Sequence, residues 1–405
     1  MDESPLTISL RPGNPGFLSL PWRLPLDEWK NEQVQLEELP RGLSRHPVVF
    51  VSEEKTLFAF KELPPGLAEK EYNMLMIMEA LRLPVVTPVG HASTHNGGRP
   101  FSILITRYLE HSLPYRMLFM RSGLERYRAH LLDAIAGLLV QLHLVGIYWG
   151  DCSFSNTLFR RDAGALQAYL VDAETAEFHM DHLPPVLRHQ DLEIMEENVN
   201  GELADLKAQG LLAGLIPEIP LRDTGAYIRV RYQRLWEEIT HEDIITPGEH
   251  YRIQERIRAL NRLGYSVGEV ELTSGEGGSH LHLRAVVTDR NFHRDQLYSL
   301  TGLEAEEGQA RQMMNEILEV QATLARQNNR STPLSVAAQH WVQYIYQPTI
   351  EHLKALADDQ NDPVELYCQL LEHKWYLSEK AQHDVGHQAA LEDFIRYYRR
   401  AEGQG

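Results

Sequence analysis

Asp151 stands five positions before Asn156, and a short predicted hairpin then leads into an apolar strand that delivers Asp172. Two carboxylates and a carboxamide offer oxygen ligands to a hard divalent cation, and a carboxylate can take the proton of an attacking hydroxyl. Phosphoryl transfer from a triphosphate asks for that combination: a carboxylate beside the acceptor hydroxyl and oxygen donors for the magnesium on the phosphates. The spacing Asp-x-x-x-x-Asn is by itself common by chance. Far more specific is the ordered series from His143 to Glu174, HLVGIYWGDCSFSNTLFRRDAGALQAYLVDAE. It runs helix, His-x-x-Gly, Gly-Asp, Asn, hairpin, Leu-Val-Asp. The competing reading of the three polar residues is a loop with capping carboxylates and a turn asparagine.

Elements on both sides must position these groups. Leu124–Val145 has the apolar spacing of a long helix, and Gly146–Asn156 reads as irregular. Thr157–Arg160 and Gln167–Val171 form the strand pair around the turn RDAGA. Toward the N-terminus, residues 1–26 read as an irregular arm, because Pro5, Pro12, Pro15, Pro21 and Pro25 forbid a long helix. A polar helix is expected at Leu26–Glu38, followed by two β-like runs, Pro47–Val51 and Thr56–Lys61, around the turn SEEK. Pro64-Pro65-Gly66 opens a helix with apolar positions at Leu67, Met74, Leu75, Met78 and Leu81, and Pro84 stops it. Val85–His91 and Phe101–Arg107 are again β-like, joined by the turn HNGG. From about residue 182 helical patterns dominate, at Asp191–Ala208, Tyr227–Thr240, Glu249–Leu263, Asp295–Leu303 and Gln309–Ala325. One hairpin is expected among them, Val267–Thr273 and His280–Val287 about a GEGG turn. A charged, loop-like stretch at Asp358–Pro363 precedes a last pair of helices ending near Arg400.

The motif series resembles the protein-kinase-like superfamily, and most closely the branch holding aminoglycoside and choline phosphotransferases, RIO-type kinases and lipopolysaccharide kinases. Where that branch has His-Gly-Asp, this chain reads Trp149-Gly150-Asp151. The resemblance implies Asp151 as the catalytic base or hydroxyl-orienting group, Asn156 as a magnesium ligand and Asp172 as the principal magnesium ligand. Asp172-Ala173-Glu174 departs from the Asp-Phe-Gly of protein kinases and is similar to the Asp-x-Glu of the small-molecule kinases, which makes Glu174 a further metal or water ligand. His143 packs beneath the loop in this reading and is structural. Lys61 ends its strand as the phosphate-contacting lysine of the superfamily does, and Glu71, thirteen residues before Pro84, is its expected partner. Glu69 is the competing choice. Ile103–Leu109 reads as the last small-lobe strand plus the hinge, where backbone groups of Arg107, Tyr108 and Leu109 would take the adenine. No Gly-x-Gly-x-x-Gly precedes Lys61. The available turn is Arg41–His46, in which backbone donors, with Arg41 or Arg45 adding charge, would cover the phosphates.

The implied fold is α+β: a bilobal kinase-like fold with a small β-rich lobe and a helical large lobe, plus a mainly helical C-terminal domain containing a β-hairpin. The lobes are expected over 27–180, with the small lobe to about 106, the hinge at 107–110 and the catalytic core at 111–180. Residues 181–405 would complete the large lobe and add an accessory domain. Over its whole length the chain also resembles a bacterial lipopolysaccharide-kinase-like family whose kinase-like half precedes a domain of unknown function, through stretches such as RDTGAYIRVRYQRLWEEI and HKWYLSEKAQHDVG. The implied cofactors are ATP and Mg2+, and the partner is an unidentified hydroxyl acceptor on a small molecule, sugar, lipid head group or protein. The altered Asp-Phe-Gly and missing glycine loop motivate the alternative, a pseudokinase that binds nucleotide, or nothing, and recruits a partner.

Composition sets the remaining bounds. The 405 residues carry 39 basic and 57 acidic side chains, a net charge of -18, with ordinary hydrophobic and charged contents of 43% and 24%. Residues 1–180 hold 17 basic and 21 acidic groups, leaving 22 and 36 for the rest. So acidic a surface repels phosphate backbones and anionic lipid, and no nucleic-acid partner is expected. Two cysteines, Cys152 and Cys368, cannot form a disulfide framework for a chain of this size. The start, MDESPLTISLRPGNPG, is acidic and broken by Pro and Gly where a signal peptide is basic and then apolar. The longest apolar stretch, Leu131–Ile147, is interrupted by Asp133, Gln141 and His143, so the expectation is a cytoplasmic protein with no membrane span. His383 and His387 mimic a zinc-binding pair without a third ligand. An arginine tract, Arg222, Arg229, Arg231, Arg234, Arg252, Arg256, Arg258 and Arg262, lies among glutamates, so internal ion pairing is its default.

Overall fold

A computed structural model describes residues 6–31, 34–39, 45–120, 124–180, 182–211, 223–246, 249, 251–274, 281–356 and 362–402. The chain forms two compact units, residues 1–160 with 168–241, and residues 161–167 with 242–405.

The first unit begins with a six-stranded antiparallel sheet built from β1 (Thr7–Leu10), β2 (Leu36–Glu37), β3 (Val48–Glu53), β4 (Thr56–Leu63), β5 (Pro88–Asn96) and β6 (Arg99–Arg107), in the order β1-β5-β6-β4-β3-β2. The β3–β4 connection is a two-residue hairpin in which Glu54 and Lys55 both take positive φ, 51° and 66°, the geometry that matches the twist of the strands it joins. Alternation along β4 buries Phe58 and Phe60 on one face and turns Lys61 to the other. Helix α1 (Leu67–Ala80) follows, burying Ala68, Glu71, Leu75 and Met78 along one stripe. A carboxylate within an otherwise apolar stripe requires a buried cation opposite it.

The N-terminal arm differs from its expected form. Thr7–Leu10 is an edge strand paired with β5, Thr7 opposite Ser93 and Leu10 opposite Gly90. Gly90 makes this approach possible, since a Cβ there would lie 2.3 Å from the Ser9 carbonyl oxygen. Among its described residues the helix expected at Leu26–Glu38 does not form: Trp29–Asn31 is a single 3-10 turn and Leu36–Glu37 a short strand. Tertiary packing overrides local propensity here. Phe17, Trp22, Leu26 and Trp29 are drawn into one apolar cluster with Phe58 and Phe60, and the Leu26 amide donates to Glu62 at 2.8 Å.

The helical lobe comprises β7 (Leu113–Pro114), α2 (Tyr115–Met120), α3 (Glu125–Leu144), β8 (Ile147–Tyr148), β9 (Thr157–Asp162), β10 (Ala165–Leu170), β11 (Glu177–Phe178), α4 (Pro185–Ala208) and α5 (Thr224–Thr240). Helix α4 starts six residues before its expected start at Asp191, with Pro185 in the first turn where its missing N–H costs nothing. Asp191 is thereby an interior, fully buried residue.

The second unit contains β12 (Asp243–Ile245), α6 (Tyr251–Arg262), β13 (Ser266–Ser274), β14 (Leu281–Asp289) and the helices α7 (Phe292–Thr301), α8 (Glu307–Asn328), α9 (Leu334–Trp341), α10 (Gln347–Lys354), α11 (Pro363–Ala381) and α12 (His387–Glu402). Strands β13 and β14 are the expected hairpin, its GEGG turn and His280 lying outside the described residues. Arg41, Arg222 and residues 358–361 of the expected loop lie outside them as well. Met313, Ile317, Trp341, Tyr367 and Phe394 centre the core. Asp162, from the 161–167 turn, accepts the Gly308 and Gln309 amides at 3.0 and 2.8 Å, at the N-terminus of α8.

Candidate active site

Lys61 donates to both carboxylate oxygens of Glu71, at 3.2 and 3.0 Å, and to Asp172 Oδ2 at 2.7 Å. Glu71 is wholly buried whereas Glu69 is exposed, so the structure resolves the choice between them. The Ala173 amide also donates to Glu71, at 3.2 Å. Burial raises the Glu71 carboxyl to about 7 against the pull of the Lys61 charge. For Lys61 burial opposes the charge, but Glu71 and Asp172 outweigh it and hold the ammonium above its ordinary range.

Behind Asp172, the loop from Gly146 to Asn156 has few regular partners for its backbone, and buried amides must find others. Asp191 accepts from the Trp149 and Gly150 amides, both at 2.7 Å. Gly150 sits at φ +79°, a left-handed turn open to glycine at little cost. Burial pushes the His143 imidazole below its usual pKa, against the pull of Asp191. Its Nε2–H donates to Asp191 at 3.1 Å, and its Nδ1 accepts from the Tyr232 hydroxyl at 2.8 Å. His143 thus braces the loop from beneath, as the sequence suggested.

The Asp151 carboxylate receives a carboxamide N–H on each oxygen. Asn156 Nδ2 donates to Oδ2 at 3.1 Å and to the Asp151 carbonyl at 3.0 Å, while Asn198 Nδ2 donates to Oδ1 at 3.1 Å. Glu202 accepts the Phe154 and Ser155 amides, both at 2.8 Å, and the Ser155 hydroxyl. The Trp149 indole donates to the Asp172 carbonyl at 2.9 Å, and the Val171 amide donates to the Asn156 carbonyl at 3.1 Å, tying the loop to the strand that carries Asp172.

Lys61, Asp151, Asn156, Asp172 and Glu174 all line one cavity of about 490 Å³. Val48, Ala59, Val86 and Val171 give it apolar walls suited to a flat base. Where the hinge is expected, the Arg107 amide is already bound to Thr87 O at 2.9 Å and the Tyr108 amide to Leu57 O at 2.8 Å. Of the three hinge amides only that of Leu109 has no partner among the described residues. Arg45 and His46 line the cavity where a glycine-rich loop would stand, and His46 Nε2 lies 3.4 Å from Glu174 Oε2.

The donor set suits magnesium on a nucleotide. Because Asn156 spends its N–H groups on Asp151, its amide oxygen is the atom left for a cation, in the cavity that Asp172 also lines. Among the described residues no three His, Cys, Asp or Glu side chains converge as a self-sufficient metal site. A nucleotide-borne magnesium needs fewer protein ligands, since phosphate and water complete its shell.

Sequence reasoning missed Asp191, Asn198 and Glu202, and named His46 only as the end of the expected phosphate-covering turn. The first three carry a signal: at i, i+7 and i+11 they share one face of α4. Other candidates fall away. Cys152 is fully buried, and burial with the nearby carboxylates pushes its thiol up, the reverse of a nucleophile's needs. His387 bonds Thr349 at 2.8 Å and lies 3.5 Å from Glu316, while His383 is exposed. In the arginine tract Arg229 pairs with Glu196, Arg231 with Asp133, and Arg252 and Arg256 with Asp243.

A strand lysine paired to a helix glutamate, and a helical lobe presenting Asp151, Asn156 and Asp172, define a protein-kinase-like fold. Residues 54–213 match the Lipopolysaccharide kinase (Kdo/WaaP) family, and residues 234–398 match a Domain of unknown function (DUF4032), so the two halves of the chain carry the resemblance read from its motifs. No curated protein matches the chain significantly. Among solved structures, "WaaP in complex with acyl carrier protein" is 15% identical with a TM-score of 0.34, covering 57% of this chain and 100% of that one. "Crystal structure of BubR1 kinase domain" is 14% identical with a TM-score of 0.28, covering 37% of this chain and 49% of that one. No described helix is long and apolar enough to cross a membrane.

Proposed function

We propose that the first unit is an ATP- and magnesium-dependent phosphotransferase acting on a hydroxyl. The observation that carries this reading is the convergence of the Lys61–Glu71 pair with Asp151, Asn156 and Asp172 on one cavity. Glu71 aims the Lys61 ammonium, which binds the α- and β-phosphates, and the hinge at Arg107–Leu109 receives the adenine, with the Leu109 amide as donor. Asn156 and Asp172, with Glu174 beside them, hold the metal, whose charge offsets that of the phosphates when bound. Asp151 accepts a hydrogen bond from the acceptor hydroxyl, orients its lone pair in line with the γ-phosphorus and takes its proton as the new O–P bond forms and the bond from the γ-phosphorus to the β-phosphate oxygen breaks, ADP leaving.

Asp151→Ala is expected to abolish phosphoryl transfer and ATP turnover while keeping the magnesium-dependent thermal shift with ATP. Asp172→Asn should lose that metal-dependent shift. Undiminished turnover in Asp151→Ala refutes the reading. One contact favours a second reading, a nucleotide-binding or partner-recruiting pseudokinase: Lys61 already occupies Asp172 at 2.7 Å. Absence of any ATP shift, with or without magnesium, would decide for it. The acceptor is a hydroxyl on a small molecule, a sugar, a lipid head group or a protein, and the name of the matched family favours a sugar of a glycolipid. γ-Labelled ATP added with cell extract shows which species takes the label, this protein included.

A further inference from the structure

We infer that Asn198 is a positioning residue for phosphoryl transfer, the group that fixes the carboxylate of Asp151 in the orientation the acceptor hydroxyl meets. The inference rests on the phosphotransferase reading. Helix α4 places Asp191, Asn198 and Glu202 along one face, and at 1.5 Å per residue they stand about 10 and 6 Å apart. Each holds a successive part of the loop: Asp191 the amides of Trp149 and Gly150, Asn198 the Asp151 carboxylate and the Cys152 carbonyl, Glu202 the amides of Phe154 and Ser155. Within the loop the outer two bind backbone alone or backbone with a serine hydroxyl, Asp191 also accepting from His143 of α3. Only Asn198 reaches the side chain that would take the proton.

The chemistry of that contact is directional. A free carboxylate rotates about its Cβ–Cγ bond, and each orientation presents a different lone pair to the cavity. With Asn156 Nδ2 on Oδ2 and Asn198 Nδ2 on Oδ1, both at 3.1 Å, the plane is pinned from two elements at once. A second amide hydrogen of Asn198 holds the Cys152 carbonyl at 3.1 Å, so the amide is itself oriented by the peptide that follows Asp151. Asn198 is a carboxamide, so it supplies these donors without the positive charge that a lysine would bring beside the proton acceptor. Asn198 lines the cavity, but both of its donors are spent on Asp151 and Cys152, which sets its predicted signature: a loss in the chemical step with nucleotide binding intact.

The test uses the full chain, with MgATP as the only ligand and water as acceptor, read by phosphate release. Asn198→Leu removes both donors at similar volume, and Asn198→Ala serves where leucine disturbs the fold. The expected result is a kcat lowered roughly 10- to 100-fold, as for loss of one orienting hydrogen bond to a charged group, with KM for ATP and the magnesium-dependent thermal shift within about twofold of wild type. Asn198→Asp, which sets a carboxylate against Oδ1, should be slower still. A kcat within twofold of wild type in a folded Asn198→Leu or Asn198→Ala overturns the inference and leaves the phosphotransferase reading standing. A parallel loss of kcat and the ATP thermal shift also overturns it, because a merely structural residue behaves so. Absence of turnover in the wild type itself overturns the phosphotransferase reading and this inference with it.

Discussion

Replacing Asp191 by alanine should open the loop from Gly146 to Asn156 without unfolding the protein. The carboxylate is fully buried and accepts three hydrogen bonds, from the Trp149 and Gly150 amides at 2.7 Å and from His143 Nε2 at 3.1 Å. A buried donor stripped of its partner costs roughly 1–3 kcal/mol, and three such donors set a lower bound of about 3 kcal/mol once water entering the alanine cavity is allowed for. That is roughly a hundredfold rise in the population of the open loop. Cys152 reports it directly, being fully buried in the loop between residues held by Asp191 and Glu202. Thiol labelling in native buffer, resolved by peptide mass, should therefore accelerate roughly a hundredfold at Cys152. Cys368, buried in the core of the second unit, is the internal control and should label at its wild-type rate. Asn at position 191 keeps one acceptor oxygen and should fall between. A Cys152 rate that changes less than about threefold refutes the bracing role, and so does a Cys368 rate that rises in step, since that reports global unfolding.

Two further outcomes follow from packing and from burial. Trp29→Ala should destabilise the first unit by about 3–5 kcal/mol, because Trp29 is fully buried against Trp22 and Phe60; hydrogen exchange of β4 and β6 measures it, and unchanged protection would mean the arm is dispensable. Burial, with Glu306 adding to it, raises Asp162 from 3.8 to about 6 against Arg290 and the Gly308 and Gln309 amides. The folded chain then holds this proton more tightly than the unfolded chain, so the contribution is complete below about pH 4 and is lost as pH rises to about 6, roughly 3 kcal/mol in all. The melting temperature of wild type relative to Asp162→Asn should accordingly fall between pH 4 and 7, and a difference that grows over that range contradicts the assignment.

How far the sequence could be read follows from where each signal resides. Lys61, Asp151, Asn156 and Asp172 were legible because each sits at a fixed place relative to a local pattern: the end of an alternating strand, a glycine turn, the end of an apolar run. Glu71 could be placed only as one of two acids, since helical spacing alone does not say which face packs inward, and the cation opposite it decided. Asp191, Asn198 and Glu202 were hidden by helix α4, whose polar residues surround its axis so that a buried acid looks like a solvated one. The arm was misread for a related reason. Edge pairing of Thr7–Leu10 with β5 and the gathering of Trp22 and Trp29 onto Phe60 are long-range events that no window of neighbouring residues contains.

The placement of Lys61 bears on how the proposed ligands depend on each other. One ammonium serves two carboxylates, Glu71 at 3.0 Å and Asp172 at 2.7 Å. Glu71 is also held by the Ala173 amide and is wholly buried, so it is the fixed partner; Asp172, about a quarter exposed, is the exchangeable one. For phosphate to take up the ammonium, Asp172 must give it up, and a carboxylate released beside an incoming triphosphate meets strong repulsion unless a cation arrives with it. On the proposed function, metal and nucleotide would therefore be coupled through Lys61: each should bind more tightly in the presence of the other, by the same factor in both directions. That reciprocity needs no glycine-rich loop. It arises from a lysine whose resting partner is the carboxylate that the metal is proposed to claim.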